Sequence, residues 1–268
     1  QMDNMQKIPV FFTFDANYLL AAKVAIHSMM KHASRQYWYE LYVFHTTLSP
    51  KAQQSLRNSL KEFTHTELHF IDVTQYNEKI KNFGTKAHYS KEIFYKLIAT
   101  DVLPQYDRII CSDVDVVFTG DFSPVFFMFP NEKFYYAGVG PVENSRMPYY
   151  RKDFSTTEME ILEHEIAAGF LLINLKELRN DHKQEEIINF YVNNYPRLRL
   201  PEQDCIILTC WPYIKYLPID YSLPISFYRL NMNQRDFYQG NTEFAGDKAT
   251  ALAKFNKGLA PVSYTHLR

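Results

Sequence analysis

A chain of 268 residues is long enough to bury a substantial core, as one large α/β domain or two small ones. Aromatic residues make up 16% of it and only 8 positions are glycine, which excludes a disordered or low-complexity protein. The formal net charge of −1 provides no overall basic field, so a nucleic-acid partner is not expected.

Cys111, Cys205 and Cys210 are odd in number, lack paired CxxC spacing and lie in apolar surroundings. They are expected to be reduced core thiols, which favours a cytoplasmic compartment. No uncharged apolar run approaches the roughly 18 residues of a membrane span, and Gln1-Met2-Asp3 has no signal-peptide character. The protein is expected to be soluble, with at most peripheral contact at the inner face of a membrane.

Ile8 to Phe14 predicts a strand, closed by Asp15-Ala16-Asn17-Tyr18 before a helical pattern from Leu19 to Met30. Leu41 to His45 predicts a second strand, Ser49-Pro50 an N-cap with proline at the first helical position, and Lys51 to Phe63 a helix. Glu67 to Asp72 predicts a third strand. This alternation implies right-handed crossovers and a mostly parallel sheet, whose ligands gather beyond the carboxyl ends of the strands.

Ser90 to Leu103 reads as a helix capped by Ser90, followed by strands over Ile109 to Phe118 and Phe134 to Val139. Pro141 to Glu165 is polar, Tyr-rich and aperiodic, which predicts a long active-site flap or acceptor-binding loop. Ala167 to Asn174 predicts a buried strand opening on small residues, and helices are expected near Lys183 to Tyr195 and Pro201 to Leu208. No repeat or linker divides the chain, so residues 1–268 are expected to form a single domain.

Two carboxylates interrupt the strand-like run Ile109-Ile110-Cys111-Ser112-Asp113-Val114-Asp115-Val116. An ionised side chain in an apolar run is costly unless it sits at an exposed end or meets a cation. At spacing two in an extended segment, Asp113 and Asp115 share one side while Val114 faces the core. Mg²⁺ or Mn²⁺ accepts such hard oxygen ligands and completes its shell with substrate phosphates. The alternative is an ordinary strand-to-loop exit whose carboxylates cap turns.

These blocks resemble the retaining glycosyltransferases of family 8, the group of bacterial lipopolysaccharide galactosyl- and glucosyltransferases and glycogenin. The resemblance runs in the family's order through Phe12-Thr13-Phe14-Asp15-Ala16-Asn17-Tyr18, Tyr95-Lys96-Leu97, Tyr106 to Asp115, Ala168 to Leu175, and Pro201-Glu202-Gln203-Asp204. It implies a single Rossmann-like GT-A domain that moves a hexose, glucose or galactose, from a UDP-sugar to a glycan or lipid-linked glycan such as lipopolysaccharide. Mn²⁺ (or Mg²⁺) would be held by Asp113 and Asp115 of the DxD motif.

Carried over by residue, the resemblance places Asp15 on the uracil edge, Asn17 near the nucleotide and Tyr18 stacked on the base. It further implies donor-binding positions at Lys96, Ser112, Asp113, Asp115 and Gly169. Lys96 stands where the family usually has arginine, and reads either as a point charge to phosphate or as a surface residue. Gln203 and Asp204 are the candidate catalytic residues, with Gln203 orienting or stabilising an oxocarbenium-like centre. Alternatively, Asp15 and Asn17 cap the first helix, Tyr18 packs in the core, and Gln203 is a first-turn helix residue beside two acids that suit a helix N-terminus.

The chain departs from the family at Ala167, where an asparagine is usual, and at Pro141, where an acidic residue is expected and Glu143 lies close by. It also departs after Val262, where Ser263-Tyr264-Thr265-His266-Leu267-Arg268 replaces His-x-x-Gly-x-x-Lys-Pro-Trp. His266 is expected to lie outside the metal shell, and the terminus to be truncated or aberrant. These departures motivate a second expectation: a catalytically inactive nucleotide-sugar-binding scaffold or regulatory subunit.

Overall fold

The computed structural model describes residues 2–80, 91–141, 152–224 and 263–265. In the first strand, β1 (Lys7–Thr13), Ile8, Val10 and Phe12 are fully buried and join a core with Ala22, Ile26 and Met29 of α1 (Leu19–His32). Phe11 belongs to a second core with Phe94 and Tyr95, and stacks on Phe44 with ring centroids 4.6 Å apart. A strand apolar on both faces belongs in the middle of a sheet covered by helices on each side.

The chain continues through β2 (Trp38–His45), α2 (Pro50–Ser59), β3 (Thr66–Asp72), α3 (Ala99–Val102), β4 (Arg108–Ser112) and β5 (Val117–Phe118). It goes on through β6 (Tyr136–Val139), α4 (Thr156–Leu162), β7 (Phe170–Asn174), α5 (Leu175–Asn180), α6 (Lys183–Asn194), α7 (Pro201–Cys210) and β8 (Ile214–Leu217). A seven-stranded sheet has the order β3-β2-β1-β4-β7-β6-β8, and every pair is parallel except the two made by β7. The expected mostly parallel α/β domain is therefore found. A second, small sheet joins β5 to β9 (Leu223–Pro224) through β10 (Ser263–Thr265), which runs antiparallel to β5.

Ser49 caps α2 as expected, accepting from the Ala52 backbone N–H at 3.1 Å with Pro50 at the first helical position. The helix ends at Ser59 rather than Phe63, where the Leu60 N–H turns back to the Arg57 carbonyl at 3.1 Å. The helix expected to run to Leu103 is a 3₁₀ segment, Lys91–Leu97, and a single α-helical turn, α3. Tertiary contacts override propensity there: Phe94 to Thr100 is buried without a break, and the Gln184 carboxamide accepts from the Thr100 N–H at 3.0 Å. Ser90 lies outside the described residues.

The stretch expected as one long loop from Pro141 to Glu165 contains α4, with a complete capping box made by Ser155 and Glu158. The Ser-x-x-Glu spacing was the available signal for it. All three cysteines are buried and unpaired, as expected, and burial pushes the Cys111 and Cys210 thiols up to about 12. No helix among the described residues is long and apolar enough to cross a membrane.

Candidate active site

β1 and β4 are parallel neighbours with Phe11 level with Cys111, so the residues that follow them leave the sheet side by side at its carboxyl edge. After β1 comes a 3₁₀ turn, Ala16–Tyr18, whose start is fixed by the Asp15 carboxylate accepting from the Asn17 N–H at 2.9 Å. This satisfies one carboxylate oxygen locally. Asn17 and Tyr18 are exposed, the tyrosine by 46%, so Tyr18 does not pack in the core.

β4 stops at Ser112, and Asp113 to Val116 forms the bend into the second sheet. The single long strand expected over Ile109 to Phe118 is thus two strands with the acidic pair at the break. Asp113 and Asp115 are half-buried while Val114 and Val116 are buried, so the alternation deduced for an extended segment survives in the bend. The buried Ser112 hydroxyl donates to the Asp113 carbonyl at 2.9 Å and is spent on holding the bend.

Gly169 explains how the bend fits against β7. The Asp113 N–H donates to the Gly169 carbonyl at 2.8 Å, and a Cβ built on Gly169 would lie 3.1 Å from Asp113 Oδ2. Glycine leaves that oxygen room. Asp113 Oδ1 lies 2.7 Å from Nζ of Lys96, which also donates to the Ala168 carbonyl at 3.0 Å and to Glu202 at 3.4 Å. Lys96 is only 5% exposed, which rules out the surface reading. Burial alone would lower its pKa, but Asp113 and Glu202 outweigh that and raise it, so the ammonium persists.

Gln203 and Asp204 stand in the first turn of α7, behind this ion pair. The Gln203 carboxamide accepts from the Ala168 N–H at 3.1 Å and donates to Glu165 at 2.8 Å. Asp204 is fully buried, with Oδ2 accepting from the Arg199 and Leu200 N–H groups at 2.8 and 3.1 Å. Asp15, Asn17, Tyr18, Ser112, Asp113 and Asp115 follow or close neighbouring strands, Lys96, Gly169 and Gln203 connect to them through Asp113 and Ala168, and Asp204 lies one step further back, against Glu165. Glu202 and Glu165 complete the network and were not singled out from sequence.

A sequence model of glycosyl transferase family 8 matches residues 9–245. The chain belongs to this family. No curated protein matches it by sequence. Among solved structures, the bifunctional glycosyltransferase WbbM superposes with a TM-score of 0.75 at 19% identity, over 98% of this chain and 46% of WbbM. The chain thus spans about half the length of WbbM. The galactosyltransferase LgtC, solved with donor and acceptor sugar analogues, gives 0.69 at 16% identity over 97% of this chain and 87% of its own. Mouse xyloside xylosyltransferase 1 gives 0.67 at 16% identity over 97% of both chains. At such identities the likeness establishes the GT-A fold, and the family establishes a glycosyltransferase.

A family 8 site of this fold invites a divalent metal, and the bend fits one. It offers two half-buried carboxylates two residues apart, and the missing Cβ of Gly169 leaves room beside Asp113 Oδ2. Glu40, Glu67 and His69 also bring carboxylate and imidazole atoms within 4.8 Å of one another. That cluster lies near the starts of β2 and β3, at the opposite edge of the sheet, and both Glu40 oxygens are taken by Trp38 and His69 at 3.0 and 2.6 Å. His266 and Glu143 lie outside the described residues.

Proposed function

We propose that this chain is a retaining hexosyltransferase that moves glucose or galactose from a UDP-sugar to a glycan acceptor, such as lipopolysaccharide or another surface glycan. The observation that carries this reading is the acidic bend after β4 lying beside the Asp15–Tyr18 turn after β1, at one edge of one sheet. The Asp15 oxygen not used by Asn17 accepts from the imide N–H of uracil, and the exposed Tyr18 ring stacks on the base. Asp113 and Asp115 would hold Mn²⁺ (or Mg²⁺), which when bound would supply positive charge against the diphosphate.

In transfer, an acceptor hydroxyl forms its bond to the anomeric carbon on the side from which UDP departs. The bond from that carbon to the diphosphate oxygen breaks with its electron pair going to UDP, and the hydroxyl proton passes to the diphosphate. Lys96 holds the Asp113 carboxylate in place through this charge movement. Gln203, immobilised at both ends of its carboxamide, presents a fixed dipole near the reacting sugar. Asp204 supports it from within the core. We place residues 1–268 in one glycosyltransferase domain working in the cytoplasm, with peripheral contact at the inner membrane face where a lipid-linked acceptor is used.

The test is a panel of UDP-sugars with Mn²⁺, following UDP release without acceptor. Release from UDP-glucose or UDP-galactose, lost with chelator, is the expected result. UDP binding without release from any donor would instead favour a nucleotide-sugar-binding scaffold. One observation favours that second reading: position 167 carries a methyl in place of an amide, its N–H spent on the Val139 carbonyl at 2.8 Å.

A further inference from the structure

Glu165 and Asp204 are both fully buried, and each uses one carboxyl oxygen in an ordinary way. Glu165 Oε1 accepts from the Gln203 carboxamide at 2.8 Å, and Asp204 Oδ2 accepts from the backbone of Arg199 and Leu200. The remaining oxygens, Glu165 Oε2 and Asp204 Oδ1, are inaccessible to water and have no donor as long as both groups are ionised. The two carboxyl groups face one another. Two buried carboxylates in contact repel, whereas one proton between them turns two unsatisfied acceptors into a hydrogen bond.

We propose that Glu165 is a neutral carboxylic acid donating its proton to an ionised Asp204, and that this acid pair fixes the orientation of the Gln203 carboxamide. The hydrogen bonds decide which partner keeps the proton. Asp204 receives two backbone N–H groups, which stabilise an anion, while Glu165 receives one side-chain amide. The other charges nearby are Glu202, which disfavours a second negative charge at either site, and Lys96, which is directed at Glu202 and Asp113. Burial raises both groups, Glu165 well above the usual carboxylate range and Asp204 to about 6, in keeping with one proton held by Glu165 at neutral pH.

Geometry extends the consequence toward the bend. Gln203 bonds the Ala168 N–H, and the carbonyl of the same residue accepts from Lys96, which holds Asp113. The acid pair therefore anchors one end of a hydrogen-bonded line running Asp204, Glu165, Gln203, Ala168, Lys96, Asp113. The Glu165 backbone is itself tightly seated, since a Cβ on Gly140 would come within 2.7 Å of its carbonyl oxygen. Glu165 and Asp204 are positioning residues: their bearing on transfer rests on the role proposed above for Gln203, whereas the shared proton does not.

The test needs no substrate. Infrared spectra of the full chain, with and without carboxyl-¹³C glutamate, should show at pH 7 the isotope-shifted C=O band of one protonated glutamic acid. That band should vanish in Glu165→Gln and persist in Glu202→Gln. Absence of any protonated glutamic acid at pH 7 would overturn the proposal. Glu165→Gln copies the neutral acid, with an amide to donate to Asp204 and a carbonyl to accept from Gln203, so its Tm should stay within about 2 °C of the parent at pH 7. Glu165→Ala should melt clearly lower; a Gln variant as unstable as the Ala variant would overturn the neutral-acid assignment. Once a donor is known, Glu165→Gln should keep kcat and Glu165→Ala should lower kcat with KM little changed. A failed donor screen leaves the infrared and melting results decisive.

Discussion

The ammonium of Lys96 lies 2.7 Å from the carboxylate of Asp113, joining a buried segment on one core to the acidic bend at the carboxyl edge of the sheet. The pair is unequal, since Lys96 is 5% exposed and Asp113 is 29% exposed at its side chain. Losing the lysine strands Glu202 as well as Asp113, and removing one partner of a buried pair typically costs about 3 kcal/mol or more. Lys96→Met is expected to lower unfolding stability in urea by about that amount. Asp113→Asn should cost less, because Lys96 keeps Glu202 and the Ala168 carbonyl.

Gly169 offers a way to disturb Asp113 without removing it. An alanine Cβ would meet Asp113 Oδ2 at 3.1 Å and Cγ at 3.7 Å, and the half-exposed carboxylate can yield by a few tenths of an ångström. Gly169→Ala is therefore expected to melt close to the parent while, on the proposed role of Asp113, binding UDP and Mn²⁺ about tenfold more weakly, a size typical of disturbing the surroundings of a metal ligand. Calorimetric titration beside a thermal melt separates the two effects. Equal loss in both would mean that the glycine serves the fold alone.

The residues differ in how openly the sequence declares them. Asp15 and Asp113 were legible because each closes an apolar strand, and β/α alternation sends such ends to one edge. The burial of Lys96 was not legible: its partner Glu202 lies 106 residues away, a pairing that only the tertiary fold creates. Glu165 is hidden for the same reason, since it reads as a polar loop residue until Asp204 is brought against it. The Lys91–Leu97 segment has a helical pattern but is buried nearly all round, and packing rather than period sets its conformation. In contrast, α4 carried its own signal in Ser155 and Glu158.

His65 should shape the acid side of the stability profile. It is 6% exposed between the Tyr39 and Phe63 rings, and neither ring nitrogen has a hydrogen-bond partner of good geometry. Its pKa is lowered, by burial first and Arg35 second, against a smaller opposing effect of the Ala33 backbone. The unfolded chain takes up a proton near the ordinary histidine value of about 6.5 while the folded chain still refuses it. Stability from this group is thus full above that pH and declines as pH falls through it. His65→Phe is expected to lose less stability than the parent between pH 7 and pH 5, measured by urea unfolding at each pH.

Gly140 should be intolerant of a side chain for a reason unrelated to the site chemistry. A Cβ there would meet the Glu165 carbonyl at 2.7 Å and the Ile166 Cα at 3.2 Å, both backbone atoms that cannot swing aside. Gly140→Ala is expected to destabilise by about 1–3 kcal/mol, the usual range for forced overpacking. A melt unchanged from the parent would show that the Glu165 segment can shift and is a loose support for Gln203.

Asp115 provides the sharpest test of the acidic bend. It is half-buried two residues beyond Asp113, flanked by the buried Val114 and Val116, so a substitution of the same shape leaves the packing of the bend in place. Asp115→Asn removes a negative charge and, on the proposed reading, a hard anionic ligand while keeping an oxygen, and Mn²⁺ or Mg²⁺ prefers the carboxylate. Calorimetry is expected to show UDP binding that requires Mn²⁺ in the parent and weakens about tenfold to a hundredfold in the variant, with Tm little altered. Metal-independent UDP binding, unchanged in Asp115→Asn, would move the nucleotide away from this bend and sink the assignment of Asp113 and Asp115 as metal ligands.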